Sequence, residues 1–343
     1  MILNTIKQLE FREIKKEIAN HCATDYGRRE ALLICFFRDI DKVNFMLDCV
    51  DEALKIMQCE SIAIGECLFV KDELRRAKIE KAMLIPQELY KISQTIRSAL
   101  GIKSFFNHKK CLSINVIADR IHPLEKLVNE INNCISKEGE IFDKASIVLK
   151  EIRQEIRTLR FDIENSLSGF INRKDLQHII QDSLVIFREN RYVIPIKKDH
   201  KGKIKGIVLD TSNSGETLFI EPEYIVEKNN KLIELLKAEK TEEAKILRRL
   251  SSLITKNLQF IKETLKTLGK LDLIITKANY SRIKKYSRPY INTEGYWNIK
   301  NAKHPRLGES AIPFDITLGK EFHQLIITGP NTGGKTVCLK TAG

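Results

Sequence analysis

The architecture that the sequence predicts depends on one stretch, residues 191–222, which reads RYVIPIKKDHKGKIKGIVLDTSNSGETLFIEP. β-Branched residues are concentrated there and turn residues interrupt them, which predicts strands near 192–197, 204–209 and 217–221. The segments DHKG and TSNSG supply the turns. Pro195 has no N–H to donate to a ladder, so we expect the first strand to lie at an edge of this small antiparallel sheet.

Long helices are predicted on both sides of the sheet. Apolar residues recur every three or four positions in 145–171 and again from about 223 to 285, which indicates one narrow apolar seam on each helix. Arg153, Arg157 and Arg160 lie on the polar flank of the first helix, where a solvated face is favoured over a binding site. Two such helices around one sheet predict an antiparallel pair that carries the sheet on the order of 40 Å from its base.

The positive charge of the chain is concentrated on the predicted sheet. The 343 residues carry a formal net charge of +13, and residues 187–209 hold seven basic and two acidic residues, a local charge of +5. Such a surplus favours a polyanion, although a lysine-rich composition also accounts for the total. The candidate nucleic-acid contacts are Arg191, Lys197, Lys198, Lys201, Lys203 and Lys205.

Composition limits the class of protein. With 43% hydrophobic and 30% charged residues the chain is typical of a globular protein, and 1–145 reads as a helical core. The longest apolar run, ALLICFF (31–37), is too short for a membrane span, and no secretion signal is seen, so we expect a cytoplasmic protein without a membrane partner. The eight cysteines form no C-x-x-C pair and are expected to be buried thiols rather than metal ligands or disulfides.

A phosphate-binding motif lies near the carboxyl end. Its eight positions match G-x-x-x-x-G-K-[ST] and are Gly329, Pro330, Asn331, Thr332, Gly333, Gly334, Lys335 and Thr336. In this motif backbone N–H groups surround phosphate oxygens, the lysine approaches the β- and γ-phosphates and the hydroxyl of Thr336 holds Mg²⁺. The context HQLIIT (323–328) predicts a buried strand before the loop, and VCLKTA a helix after it. The predicted ligand is ATP or ADP with Mg²⁺.

Three segments resemble the start of the ATPase domain in the MutS family, namely ITGPNTGGKTVCLKTAG (327–343), AKHPRL (302–307) and IPFDITLG (312–319). Residues 190–222 and the opening LEFREIKKEIANHCATDYGRREA (9–31) resemble the second bacterial branch of that family, the anti-recombination and ribosome-rescue type. The resemblance covers nearly the whole chain.

The resemblance implies a mainly α fold with a small antiparallel β clamp, long antiparallel lever helices and the start of an α/β P-loop ATPase domain. The implied divisions are a helical core (1–145), a first lever helix (146–186), the basic clamp (187–224), a second lever helix (225–288) and the ATPase start (289–343). It also implies a homodimer around branched or duplex DNA or a stalled ribosome with its ribosomal RNA, gated by ATP. The adenine is expected near Ile312, Pro313 and Phe314.

The chain departs from the family pattern at both ends. It starts directly with the core, which favours the second branch and argues against mismatch reading. Only seven residues follow Thr336, so we expect no Mg²⁺-binding carboxylate strand, no signature loop and no Smr domain. Asp272, in LDLIIT (271–276), precedes the loop, and this segment is interpreted as the end of a helix. We therefore expect the N-terminal portion of a longer protein, with no catalytic residue and no ATP turnover as given.

Three functions remain to be compared. The first is an ATP-gated nucleic-acid clamp, and the second is a binding module without turnover. The third, a coiled-coil chromosome-type ATPase, is disfavoured because such proteins place the loop before their helices. Phosphate contacts to DNA and to ribosomal RNA have the same chemistry, so the sequence leaves the target open.

Overall fold

The computed structural model describes residues 8–79, 82–308, 311–330 and 334–343. It is mainly helical, at 57%, with small antiparallel sheets, as predicted. The helices are α1 (Phe11–His21), α2 (Asp25–Leu32), α3 (Ile40–Cys59), α4 (Lys71–Arg76), α5 (Pro86–Lys109), α6 (Leu112–Ala118), α7 (Glu125–Cys134), α8 (Ile147–Ile171), α9 (Val226–Lys256), α10 (Leu258–Lys284) and α11 (Lys335–Ala342). The strands are β1 (Ile186–Arg188), β2 (Arg191–Lys197), β3 (Gly206–Thr211), β4 (Thr217–Pro222), β5 (Trp297–Ala302) and β6 (Phe314–Leu318).

The described residues divide into two compact units. The first combines parts of Met1–Leu74, Lys91–Val128 and Asn257–Gly343, and the second combines parts of Arg75–Tyr90 and Asn129–Lys256. Among the described residues, no helix has the length and apolarity that crossing a membrane requires.

In the first unit, α10 packs against α2 and α3. Its Asp272 is buried and accepts hydrogen bonds from the Thr24 backbone N–H (2.8 Å) and hydroxyl (2.6 Å) and from the Ala23 N–H (3.2 Å). A Cβ added at Gly27 would lie 2.1 Å from this carboxylate, so glycine is required for the close approach. Asp272 therefore holds the start of α2. It was expected at the end of a helix, but it lies in the interior of α10, which continues to Lys284.

In the second unit, α8 and α9 pack as an antiparallel pair. Ser146 at the start of α8 donates to Glu242 at the middle of α9 (2.8 Å), whereas Glu155 further along α8 pairs with Lys231 early in α9 (3.6 Å). The predicted apolar seam of α8 is confirmed, because Leu149, Ile156, Ile163 and Leu167 are buried. Most of it joins residues of β2, β4 and α9 in one hydrophobic cluster.

The prediction of one helix over 225–288 was wrong in detail. Helix α9 ends at Lys256 and α10 begins at Leu258, with Asn257 between them at φ −99° and ψ 9°. Two residues earlier the Thr255 hydroxyl lies within hydrogen-bond distance of the Ala77 carbonyl (2.8 Å) and of the Ser251 carbonyl (3.0 Å). A threonine hydroxyl that bonds the carbonyl four residues before it often bends a helix. The two helices belong to different units.

The four-stranded sheet has the order β1-β2-β4-β3, so β2 is internal and the expectation of an edge strand was wrong. Pro195 is tolerated because its nitrogen faces away from β4, toward residues 179–181. On that side its carbonyl accepts from the Gln181 N–H (3.0 Å), and the Lys197 N–H donates to the Ile179 carbonyl (2.9 Å). No bond there needs the missing N–H of Pro195. Strand β1 was not predicted, and its three residues pair with β2.

Candidate functional site

A buried polar network holds the sheet on α9. Asn229 is fully buried; its side-chain amide donates to the Tyr192 carbonyl (3.0 Å) and to Glu221 (2.8 Å), and its oxygen accepts from the Tyr192 N–H (3.0 Å). The same Glu221 oxygen receives the Arg191 guanidinium at 2.6 Å, and Arg191 also donates to Asn230 (2.7 Å). The carboxylate, buried with 1% exposure, is thus paired and hydrogen-bonded, as a buried charge requires.

The arginines and lysines of the sheet have different environments. Arg191 is occupied by the polar network, and Arg188 pairs with Asp210 (3.0 Å) above the ring of Phe219. In contrast, five lysines are exposed: Lys197, Lys198, Lys201, Lys203 and Lys205. No ion pair or side-chain hydrogen bond to another described residue involves their ammonium groups.

Local backbone geometry brings four of these lysines onto one short connection. A 3₁₀ turn over Lys198–His200 follows β2, and the Lys201 and Lys203 N–H groups then donate back to the Lys198 and His200 carbonyls (3.0 and 3.1 Å). Gly202 has φ +89°, a conformation that favours glycine. The exposed turn therefore presents cations whose charges the described residues leave unpaired, and we call these five residues the lysine patch.

The nucleotide motif is described only in part, because Asn331, Thr332 and Gly333 lie outside the described residues. Gly329 and Gly334 have φ +142° and +78°, and Gly334 begins the predicted helix α11, where the Cys338 N–H donates to its carbonyl (2.9 Å). The Lys335 ammonium donates to the Gly329 carbonyl. Thr336 is exposed. The two glycines thus adopt conformations in which glycine is favoured.

The predicted buried strand before the loop was wrong. Residues 323–328 have no regular secondary structure, and Ile326 is 84% exposed. A strand is stabilised by neighbours that pair its backbone and cover its side chains. The sheet of β5 and β6 pairs only those two strands with each other, Trp297 opposite Leu318 and Ala302 opposite Phe314.

The three residues expected near adenine lie at the start of β6. Ile312 is 88% exposed and precedes the strand, Pro313 is exposed, and Phe314 is the first strand residue. Helix α11 approaches β5, and its Lys340 pairs with Glu10. Hydrogen bonds from Lys340 and Arg306 hold the pKa of Glu10 below its usual range.

No cluster of three or more metal-binding side chains occurs among the residues that the structure describes. All eight cysteines are free; Cys22, Cys49, Cys111 and Cys134 are buried. The expectation that all are buried was wrong for Cys35 and Cys59, which are exposed. Burial raises the pKa of Cys22 to about 11 and that of Cys49 to about 12.

The sequence missed an ion-pair network at the base of the helix pair. Arg153 donates to Asp143 (2.8 Å), Glu239 (2.7 Å) and Glu243 (2.7 Å). Partial burial opposes its charged form, but the hydrogen bonds to Asp143 and Glu239 raise the pKa of Arg153. The sequence did contain a signal for this network, because Glu239 and Glu243 are four residues apart and therefore lie on the same face of α9.

No protein-family model matches the chain. The chain is 37% identical to Endonuclease MutS2 of Caldanaerobacter subterraneus subsp. tengcongensis over 348 aligned positions, which cover 99% of this chain and 43% of that protein. It is 36% identical to the proteins of the same name from Bacillus cereus and Bacillus thuringiensis, covering 100% of this chain and 44% of theirs.

The chain therefore spans less than half the length of these curated relatives. Throughout its own length it resembles the N-terminal part of MutS2.

Proposed function

We propose that this chain is the nucleic-acid-holding part of a MutS-type clamp, and that the lysine patch binds phosphate groups of the nucleic acid. The observation that carries the proposal is the set of five exposed ammonium groups without partners in the described residues, beside two arginines that are both paired. When an exposed, unpaired lysine binds a phosphate, counterions are released from the nucleic acid, which favours binding. An arginine that is already paired with a carboxylate would first have to give up that partner, so its contribution to binding is smaller.

In this proposal the parts of the chain have distinct roles. Helices α8 and α9 act as levers that carry the sheet, and residues 329–336 bind ATP or ADP with Mg²⁺ in a homodimer that closes around branched or duplex DNA, or around ribosomal RNA on a stalled ribosome. The similarity to MutS2 proteins supports a nucleic-acid target. The motif residues support the nucleotide, because Gly334 caps the N-terminus of α11, and Lys335 and Thr336 are the first two residues of that helix.

The test replaces four lysines with alanine: Lys197, Lys198, Lys201 and Lys203. Binding to labelled duplex DNA and to ribosomal RNA hairpins is measured by fluorescence anisotropy at several salt concentrations. Each lost phosphate contact should lower the slope of log K against log salt by about 0.9 on duplex DNA, so the variant should lose up to about 3.6.

A matched control removes the same four charges elsewhere. Lys55, Lys126, Lys262 and Lys266 are exposed residues on helices of the first unit. Their replacement should leave the slope nearly unchanged. If the slope falls equally in both variants, binding depends on the net charge of the chain and not on the lysine patch. If the slope of the lysine-patch variant is unchanged, the proposal is refuted.

A second candidate function is binding without ATP turnover by these 343 residues. The exposed, irregular segment before Gly329 favours it, because phosphoryl transfer depends on groups held in fixed positions. Nucleotide hydrolysis by the purified chain separates the two candidates.

A further inference from the structure

A cavity of about 480 Å³ lies beside the lysine patch, within the second unit. Its size falls in the range of pockets that hold small organic groups, about 300–1,000 Å³. The lining comes from the end of α8, the segment after it, the approach to β3 and the turn before α9. The lining residues are Phe170, Arg173, Leu176, Lys203, Ile204, Lys205, Glu223 and Tyr224.

One wall of the cavity is aromatic. The rings of Phe170 and Tyr224 lie 5.4 Å apart with their planes inclined at 47°. Tyr224 is 49% exposed, and Ile204, which also lines the cavity, is buried. Partial burial raises the pKa of Tyr224 to about 12. The Arg173 guanidinium lies over the Phe170 ring, 5.7 Å from its centre, so the exposed ring of Tyr224 is the face on which a planar ligand can stack.

The rim of the cavity is charged. Lys203 and Lys205 belong to the lysine patch and are exposed, and the Glu223 N–H donates to the Lys205 carbonyl (3.1 Å). Glu223 is exposed as well, and its carboxylate forms no ion pair or hydrogen bond with another described residue. Arg173 is held by Asp175 in a two-bond pair (2.7 and 3.1 Å), so its charge is largely balanced.

We propose that this cavity, the base pocket, receives one unpaired nucleobase while the adjoining phosphates lie on Lys203 and Lys205. The inference rests on the proposed nucleic-acid function and specifies which form of nucleic acid the sheet should bind. Single-stranded bases are held in proteins by stacking on aromatic rings, with basic side chains along the backbone. A paired base within a duplex is already covered on both faces by its neighbours and cannot stack on the ring of Tyr224, so the pocket should select gaps, junctions and loops.

Glu223 adds a preference among bases. A carboxylate only accepts hydrogen bonds. Adenine, cytosine and guanine carry an exocyclic amino group that can donate, whereas thymine and uracil have carbonyl oxygens at the corresponding position and offer only the ring N3–H between two carbonyl oxygens that a carboxylate repels. The base pocket should therefore favour amino-bearing bases over thymine and uracil.

The experiment compares a continuous duplex with the same duplex that carries a short single-stranded gap, as DNA and as RNA, with residues 1–343. Tyr224→Leu should weaken binding to the gapped form by roughly 5- to 150-fold, the loss expected for one stacked base, and leave the continuous duplex unchanged. Tyr224→Phe keeps the ring and should retain the gap preference. The DNA and RNA arms show which single strand is preferred.

Two measurements protect the test from a folding defect in the leucine variant. Fluorescence of 2-aminopurine placed in the gap should be quenched when the unmodified protein binds, because the fluorescent base stacks on Tyr224. This measurement needs no variant, so a folding defect does not affect it. Glu223→Ala should bring the affinities for oligo-dC and oligo-dT closer to equality, with no change in gap selectivity.

The base pocket is refuted if Tyr224→Leu weakens both duplexes equally, or if 2-aminopurine is not quenched while binding persists. In those cases the lysine-patch variant still loses its salt slope, so the proposed function survives. If the unmodified chain binds neither duplex, the proposed function fails, and the base pocket fails with it.

Discussion

Asn229 provides the sharpest test of how the sheet is attached to α9. Replacement with alanine removes the partner of the buried Tyr192 N–H and carbonyl and one hydrogen bond to Glu221. An unsatisfied buried backbone group costs about 1–3 kcal/mol. Two such groups, less a gain of about 0.5 kcal/mol in helix propensity, give a loss of about 3 kcal/mol.

The matched control is the next residue, Asn230→Ala. Asn230 is exposed and accepts one hydrogen bond from Arg191 (2.7 Å), so its removal should cost less than about 1 kcal/mol. Both variants change the same residue type in the same helix. Any general effect of asparagine on helix α9 therefore cancels in the comparison.

The assay is hydrogen–deuterium exchange of peptides from residues 186–222, which reports local opening rather than the unfolding of the whole chain. Protection of the β2 amides should fall roughly 100-fold in Asn229→Ala, the equivalent of about 3 kcal/mol. If Asn230→Ala lowers protection as much, or if Asn229→Ala leaves it unchanged, the polar network does not hold the sheet.

Three further predictions follow from single sites. The hydrogen bond from Arg153 lowers the pKa of Asp143, so the ion-pair network stabilises the fold above about pH 4 and loses this contribution as the pH falls through the folded-state pKa. Arg153→Leu should cost about 1–2 kcal/mol at pH 7 in urea unfolding, and clearly less at pH 3; an equal cost at both pH values would contradict this. A thiol reagent at pH 8 should label the exposed Cys35 and Cys59 before the buried cysteines, as peptide mass spectrometry can show. The purified 343 residues should show no ATP turnover, and Lys335→Ala should change nothing; Mg²⁺-dependent turnover that this variant removes would overturn the expectation.

Local patterns in the sequence were sufficient for the elements of the second unit. The seam of α8 follows from apolar residues at helical spacing, and the strands near 192–197 and 217–221 follow from β-branched residues bounded by turn signals. These features depend on residues close together in the chain. The start of α11 after Gly334 was predictable for the same reason.

Strand order needed the tertiary structure. Pro195 removes one donor, but whether that donor is required depends on which segment lies alongside it, and residues 179–181 need only its carbonyl. The segment 323–328 shows the converse case. Its apolar residues have strand propensity, but no described strand pairs with them, and propensity without neighbours does not form a sheet.

The candidate site divides in the same way. By itself the sequence determined the mainly helical character of the chain, the strands near 192–197 and 217–221 and the concentration of lysines at 197–205, because spacing and charge are local properties. Only the tertiary structure decided which cations are unpaired, since Arg191 meets Glu221 across 30 positions. The tertiary structure also placed Phe170, which precedes the four strands in the chain, beside Tyr224, which follows them. Contacts between residues distant in the chain depend on packing, and packing is the property that periodicity does not encode.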